Sequence, residues 1–143
     1  MILIDNNILA RLTNDGHASC QRTRDAVHTL LRRGETLVIC PQAIYEFWAV
    51  ATRSKSSNGL GLSESQVAQW IGFFRRRFRF LPDRPELAEA FTELVKAKSV
   101  RGFPAHDARY VAFAQTQGIT RLLTFNLRDF QGLPITLLDP NKI

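Results

Sequence analysis

Apolar residues follow two rhythms along this chain. Short unbroken runs, Met1 to Ile4 and Thr36 to Cys40 with its apolar centre, predict strands covered on both faces. Elsewhere apolar positions recur every three or four residues, which predicts helices. A short helix is expected from about Ile8 to Leu12, ended by the polar break Thr13-Asn14-Asp15-Gly16. A longer one runs from an N-cap at Ser19 to Arg33, with Ala26, Val27, Leu30 and Leu31 as its stripe. Arg32 and Arg33 complement its dipole and Gly34 ends it. Pro41 opens a helix at its first position; this helix extends to about Arg53 and buries Ala43, Ile44, Phe47, Trp48 and Ala51. Lys55 to Gly61, made of serine, asparagine and glycine for the most part, reads as a flexible connection within a domain. Ser63 and Gln66 form a capping-box pattern before a helix with the stripe Val67, Trp70, Ile71, Phe74 and Phe78. A short strand at Arg79 to Leu81 follows, then a helix over Pro85 to Lys98 and another from Pro104 to near Gly118. Strands at Arg121 to Thr124 and Ile135 to Leu138 complete the pattern.

Strands alternating with helices predict an α/β fold: a mostly parallel central sheet with helices on both faces, a three-layer α/β/α sandwich. Residues 1–143 are read as one domain, long enough to bury a real core. In such a sheet the positions just beyond the carboxyl ends of the strands converge at one edge.

Polar residues at those positions carry the candidate chemistry. Asp5 follows Ile2-Leu3-Ile4, Glu46 lies in the helix after Leu37-Val38-Ile39, and Asn126 and Asp129 follow Leu122-Leu123. Asp107 comes just after the expected helix start at Pro104. Each has a plain structural reading: an N-cap, a solvated helix face, a dipole-stabilising acid, a turn residue. Coincidence of all of them is harder to explain singly. Carboxylates that converge repel one another, and a divalent cation removes the conflict. Oxygen ligands select hard ions such as Mg²⁺ or Mn²⁺. The matching chemistry is metal-assisted hydrolysis of a phosphodiester, with a metal-activated water as nucleophile. Asn7 is placed to hold a carboxylate or a water, and Thr124 to donate its hydroxyl to a carboxylate or phosphate.

Charge sharpens the substrate class. The formal net charge is +6, which points to a nucleic acid or another acidic partner. Arg101, shortly before Asp107, is a candidate for touching substrate, and Arg75, Arg76, Arg77 and Arg79 form a basic cluster that either tracks phosphates or is a solvated helix end. His106 points away from its neighbour Asp107 on a helix and is read as supporting rather than as a general base. Cys20 and Cys40 lack metal or disulfide spacing and read as free thiols of a reducing cytosol. No membrane-spanning run and no basic leader are present, so a cytoplasmic location is expected.

The ordered set of motifs resembles the PIN domain, most closely the VapC-type toxin ribonucleases of bacterial toxin–antitoxin pairs. It comprises Ile4-Asp5-Asn6-Asn7-Ile8-Leu9, Pro41-Gln42-Ala43-Ile44-Tyr45-Glu46, His106-Asp107-Ala108 followed by Ala112 and Ala114, and Leu123-Thr124-Phe125-Asn126 with Asp129-Phe130. The resemblance spans nearly the whole chain. It implies a small α/β/α sandwich and a Mg²⁺- or Mn²⁺-dependent endoribonuclease acting on RNA. It further implies frequent homodimerisation and inhibition by a small cognate antitoxin. Asp5, Glu46 and Asp107 then look like the three metal-site acids, and Thr124 like the family's hydroxyl residue after the fourth strand.

Two positions depart from the family pattern. Asn6 stands where serine or threonine is common, and Asn126 where many relatives place a fourth acid; this leaves Asp129 to serve that role or leaves a second ion weakly held. Asn126 also sustains an alternative, a degenerate PIN domain that binds RNA or a protein without cutting. A receiver-like signalling domain would want adjacent acids after the first strand and a lysine after a late one, and neither is found. Phe47, Trp48, Trp70, Phe73 and Phe74 are read mainly as packing between two helices, with Phe73 widening its stripe toward a dimer or antitoxin interface.

Overall fold

A computed structural model describes residues 1–143. In chain order the elements are β1 (Ile2–Ile4), α1 (Asn6–Leu12), α2 (Cys20–Arg32), β2 (Leu37–Ile39), α3 (Pro41–Thr52), α4 (Glu64–Arg77), β3 (Arg79–Phe80), α5 (Leu87–Ala97), α6 (Ala105–Thr116), β4 (Arg121–Leu123) and β5 (Thr136–Leu138). The five strands form one sheet in the order β3-β2-β1-β4-β5, and every neighbouring pair is parallel. Leu3 lies beside Val38 on one side and Leu122 on the other. The chain thus winds outward from β1 in one direction through β2 and β3, then returns to place β4 and β5 on the other flank. The reversal falls between β1 and β4, the place where parallel sheets open a crevice at their carboxyl ends.

The central strands are almost wholly apolar because helices cover both faces. Ile2, Leu3, Ile4, Val38, Ile39, Leu122 and Leu123 are completely buried. Each such side chain contributes about 2 kcal/mol of burial. Phe47 of α3 meets Phe74 of α4 edge to face at 5.3 Å, which closes the α3–α4 seam. A bidentate Arg121–Glu35 pair, both bonds 2.7 Å, ties the start of β4 to the turn before β2.

Several local expectations change on physical grounds. The first helix starts at Asn6, so Asp5 occupies its N-cap position, but the Asp5 side chain makes no capping bond. Ser19 precedes the second helix without capping it through its side chain; Thr23 Oγ1 instead donates to the Ser19 carbonyl. The Ser63–Gln66 capping box does form, through Gln66 N–H to Ser63 Oγ (3.2 Å) and Ser63 N–H to Gln66 Oε1 (2.9 Å). Pro85 and Glu86 form a turn before α5, which begins only at Leu87. Trp48, assigned to the buried stripe of its helix, is exposed, and Gln42 is buried instead.

The connection after α3 is tightly folded rather than flexible. Leu60, Gly61 and Leu62 N–H groups donate back to the carbonyls of Val50, Arg53 and Ala51. A Cβ on Gly59 would lie 2.1 Å from the Arg53 carbonyl oxygen, so only glycine permits this close return. Composition alone does not reveal these backbone bonds, which draw the loop against the end of α3.

Candidate active site

Asp5 leaves β1 at the sheet's carboxyl edge and is 95% buried. Its Oδ2 accepts a hydrogen bond from Thr124 Oγ1 (2.6 Å), just beyond β4, and another from Asn7 Nδ2 (2.6 Å). Thr124 Oγ1 in turn accepts from Asn7 Nδ2 (3.0 Å) and the Asn126 N–H (2.9 Å). Two donors fill its lone pairs, which directs the hydroxyl proton to Asp5. The N-cap position of Asp5 is therefore incidental, since its carboxylate is engaged across the sheet. Asn7 closes the ring, its Oδ1 accepting from the Phe125 N–H at 3.3 Å.

Glu46 is held by a second network. Gln42, one turn earlier on α3, donates from Nε2 to Glu46 Oε1 (2.7 Å) and to the His106 carbonyl (2.8 Å). Arg109 NH1 donates to Gln42 Oε1 (3.0 Å), fixing which end of the amide faces Glu46. Arg109 is itself anchored on Asp83 Oδ2 at 2.6 Å. Tyr110 of α6 donates its hydroxyl to Glu46 Oε2 (3.0 Å) while accepting from the Asn6 N–H (3.3 Å). Burial, then the surrounding negative charge, pushes the Tyr110 phenol well above its ordinary pKa, so it stays a donor.

The acids act on one another. The Asp5 carboxyl is pushed up to about 6, first by burial, with Glu46 and Asp107 adding to the rise and Thr124 and Asn7 opposing it. Asp107, half-buried in the first turn of α6, is also pushed up to about 6, by burial, then by the charges of Asp129 and Glu46. No three of the acids draw together into a ready-made ion cage. Like charges oppose such closure, and Asp5 and Glu46 are held instead by neutral donors. The donor set suits a hard divalent cation: it is all oxygen, and two of its carboxyls resist ionising until a positive charge compensates them.

The remaining expected residues divide. Asn126 belongs to the Asp5 side, through its backbone bond to Thr124. Asp129 belongs to the Asp107 side, where its charge is the second largest influence on that carboxyl. Arg101 is exposed in the turn before α6 and makes no hydrogen bond or ion pair with the acids. The His106 ring packs on Phe103 at 5.1 Å, and only its carbonyl enters the Glu46 network. Because the sheet is parallel, Arg75 to Arg79 lie where α4 feeds β3, at the opposite end of the sheet from Asp5.

Gln42, Tyr110 and Arg109 were not singled out from the sequence. The i, i+4 spacing of Gln42 and Glu46 on one helix face was a signal for the first. Arg11 is a further addition. Its guanidinium lies 3.9 Å over the Phe125 ring, with Nε and NH1 buried and without acceptors.

The PIN domain family model matches residues 2–134, and the chain belongs to that family. The solved structures agree on the fold. VapBC2 from Rickettsia felis, bound to a promoter DNA fragment, superposes with a TM-score of 0.72 at 17% identity, covering 97% of this chain and 98% of that one. A toxin–antitoxin complex from Klebsiella pneumoniae gives 0.69 at 21% identity, covering 98% of each chain. VapC20 of Mycobacterium tuberculosis, described as a toxin that cleaves the sarcin–ricin loop, gives 0.69 at 16% identity, covering 94% of this chain and 97% of that one. No curated protein matches in sequence.

Proposed function

We propose that the protein is a Mg²⁺- or Mn²⁺-dependent endoribonuclease and the toxin of a toxin–antitoxin pair. The observation that carries this reading is Asp5 and Glu46 fixed by neutral donors at the sheet's carboxyl edge, with Asp107 on α6, in a PIN-family chain of net charge +6. Asp5, Glu46 and Asp107 would hold the cation. When bound, it supplies a Lewis acid that generates a nucleophile from water at neutral pH and neutralises the phosphate. Thr124 and Asn7 hold Asp5 in one orientation, and Gln42 and Tyr110 do the same for Glu46. Asp129 adds negative charge beside Asp107 and supports a full charge complement despite Asn126.

An antitoxin partner is supported by similar structures described as toxin–antitoxin complexes. A surface for it, or for a second copy in a homodimer, is offered by the exposed aromatic side chains Tyr45 and Trp48 on α3 and Phe73 on α4. No helix is long and apolar enough to cross a membrane, and both cysteines are free, which suits the cytoplasmic location proposed.

The test is incubation of purified protein with a panel of structured RNAs, with Mg²⁺ and with excess chelator. Cleavage that chelator abolishes is expected. In parallel, expression of the chain alone should arrest bacterial growth, and expression of Asp5→Ala should not. Full cleavage in chelator overturns the metal mechanism; equal growth at equal soluble protein levels overturns the toxin assignment.

A further inference from the structure

Beside Asp5, between α1 and the loop that follows α3, runs a polar cleft of about 400 Å³. Asn6, Asn7, Arg11, His17, Arg53 and Asn126 are among the residues that line it. No aspartate or glutamate does, although Asn6 and Asn7 adjoin the most buried acid of the protein. At its wall Arg11 is immobilised over the Phe125 ring, and two guanidinium nitrogens are buried without any acceptor. Nε and NH1 are enclosed by protein, so the remaining NH2 group and the delocalised positive charge are what an anion in the cleft would meet. Arg53, exposed at the end of α3, also lines the cleft, its carbonyl accepting from the Gly61 N–H.

We infer that this cleft is an RNA phosphate subsite, in which Arg11, assisted by Arg53, receives a backbone phosphate next to the one at the acidic centre. The inference rests on the ribonuclease reading and adds to it where the RNA strand runs: past α1 and the α3 loop, not over the Arg75–Arg79 cluster. The neighbouring Asn side chains add neutral donors without repelling the chain. Asn6, Asn7 and Asn126 separate this cationic cleft from the acidic centre, so the scissile phosphate lies at the acids and the next one is held by positive charge.

The test measures binding of a short single-stranded oligoribonucleotide by fluorescence anisotropy in chelator, where no cleavage occurs, across a series of salt concentrations. Arg11→Met should weaken binding about tenfold and reduce the magnitude of the log K against log salt slope by about 0.7, one phosphate's share on a single strand. Arg53→Gln should lower the slope in the same direction and less steeply. Arg32→Met, at the far end of α2, is the charge control and should change little. Circular dichroism establishes that each variant is folded; if Arg11→Met is not, Arg11→Lys and Arg53→Gln decide, and an unchanged slope in Arg53→Gln overturns the subsite. Binding by the wild type with an unaltered slope in folded Arg11→Met, or an equal loss in Arg32→Met, overturns this inference alone. Absence of any RNA binding by the wild type in chelator overturns the subsite, whereas the ribonuclease reading stands or falls on Mg²⁺-dependent cleavage measured separately.

Discussion

Asp5→Asn should stabilise the metal-free protein while removing its chemistry. Burial raises the Asp5 carboxyl from 3.8 to about 6, so the folded state is reluctant to ionise it. Below about pH 3.8 both folded and unfolded states hold the proton and no cost arises. As pH climbs, the unfolded chain ionises first; stability contributed by the protonated form is lost up to about pH 6 and then stays lost. A carboxyl raised from 3.8 to about 6 costs the folded state about 3 kcal/mol above pH 6. Asparagine avoids that cost, because its Oδ1 can accept from Thr124 and Asn7 as the carboxylate does. The expected gain is about 1–3 kcal/mol at pH 8, roughly 2–10 °C in melting temperature for a domain of this size. Urea unfolding in chelator at pH 4 and pH 8 measures it. The gain should be small at pH 4 and full at pH 8. Added Mg²⁺ should reverse the order, since only the wild type gains binding free energy from the ion. An Asp5→Asn protein that is less stable than wild type at pH 8 in chelator, or equally stabilised at both pH values, would falsify the account of a carboxylate held under electrostatic load.

Three further outcomes are expected. Asp107→Asn should lower the rate of RNA cleavage by at least ~100-fold, several kcal/mol of barrier, with folding retained; cleavage at the wild-type rate refutes its role. Asp129→Asn should raise the Mg²⁺ concentration for half-maximal cleavage by removing charge beside Asp107, and Asn126→Asp should lower it by adding charge next to Thr124; metal titrations unchanged in both variants would remove this segment from the site. Tyr110→Phe leaves Glu46 without one donor and the Asn6 N–H without its acceptor, and should cost about 1–2 kcal/mol in urea unfolding while raising the Mg²⁺ requirement; an unaltered stability and metal titration would mean that the Tyr110 hydroxyl contributes nothing.

Much of the fold is legible because the central strands are apolar runs, and Asp5 and Glu46 each follow one. Asp5 after Ile2-Leu3-Ile4 and Glu46 one turn into the helix opened by Pro41 are local patterns, and local patterns survive in a sequence. The groups that orient those acids are not local. Thr124 reaches Asp5 from 119 residues away and Tyr110 reaches Glu46 from 64, contacts that only the order β2-β1-β4 creates. Thr124 was proposed from its place at a strand end, whereas Tyr110 carried no such mark. Arg101 looked well placed because it is close to Asp107 in sequence, yet the turn at Gly102, with φ 67°, leaves it on the surface. Arg11 carries no mark in the sequence; its place over the Phe125 ring exists only in the folded chain.

The insertion of β4 beside β1 also governs when the molecule becomes complete during synthesis. Residues 1–80 supply β1, β2 and β3, which are neighbours in the finished sheet. Until β4 emerges, one edge of β1 has no neighbour, and Asp5 lacks Thr124. At typical elongation of about 5–20 residues per second, the ribosome takes several seconds to deliver the stretch from β3 to β4. For that interval the nascent chain carries an open strand edge and no assembled acid site. A prematurely terminated product would share the same condition: prone to pairing with other strands, and unable to bring its acids together.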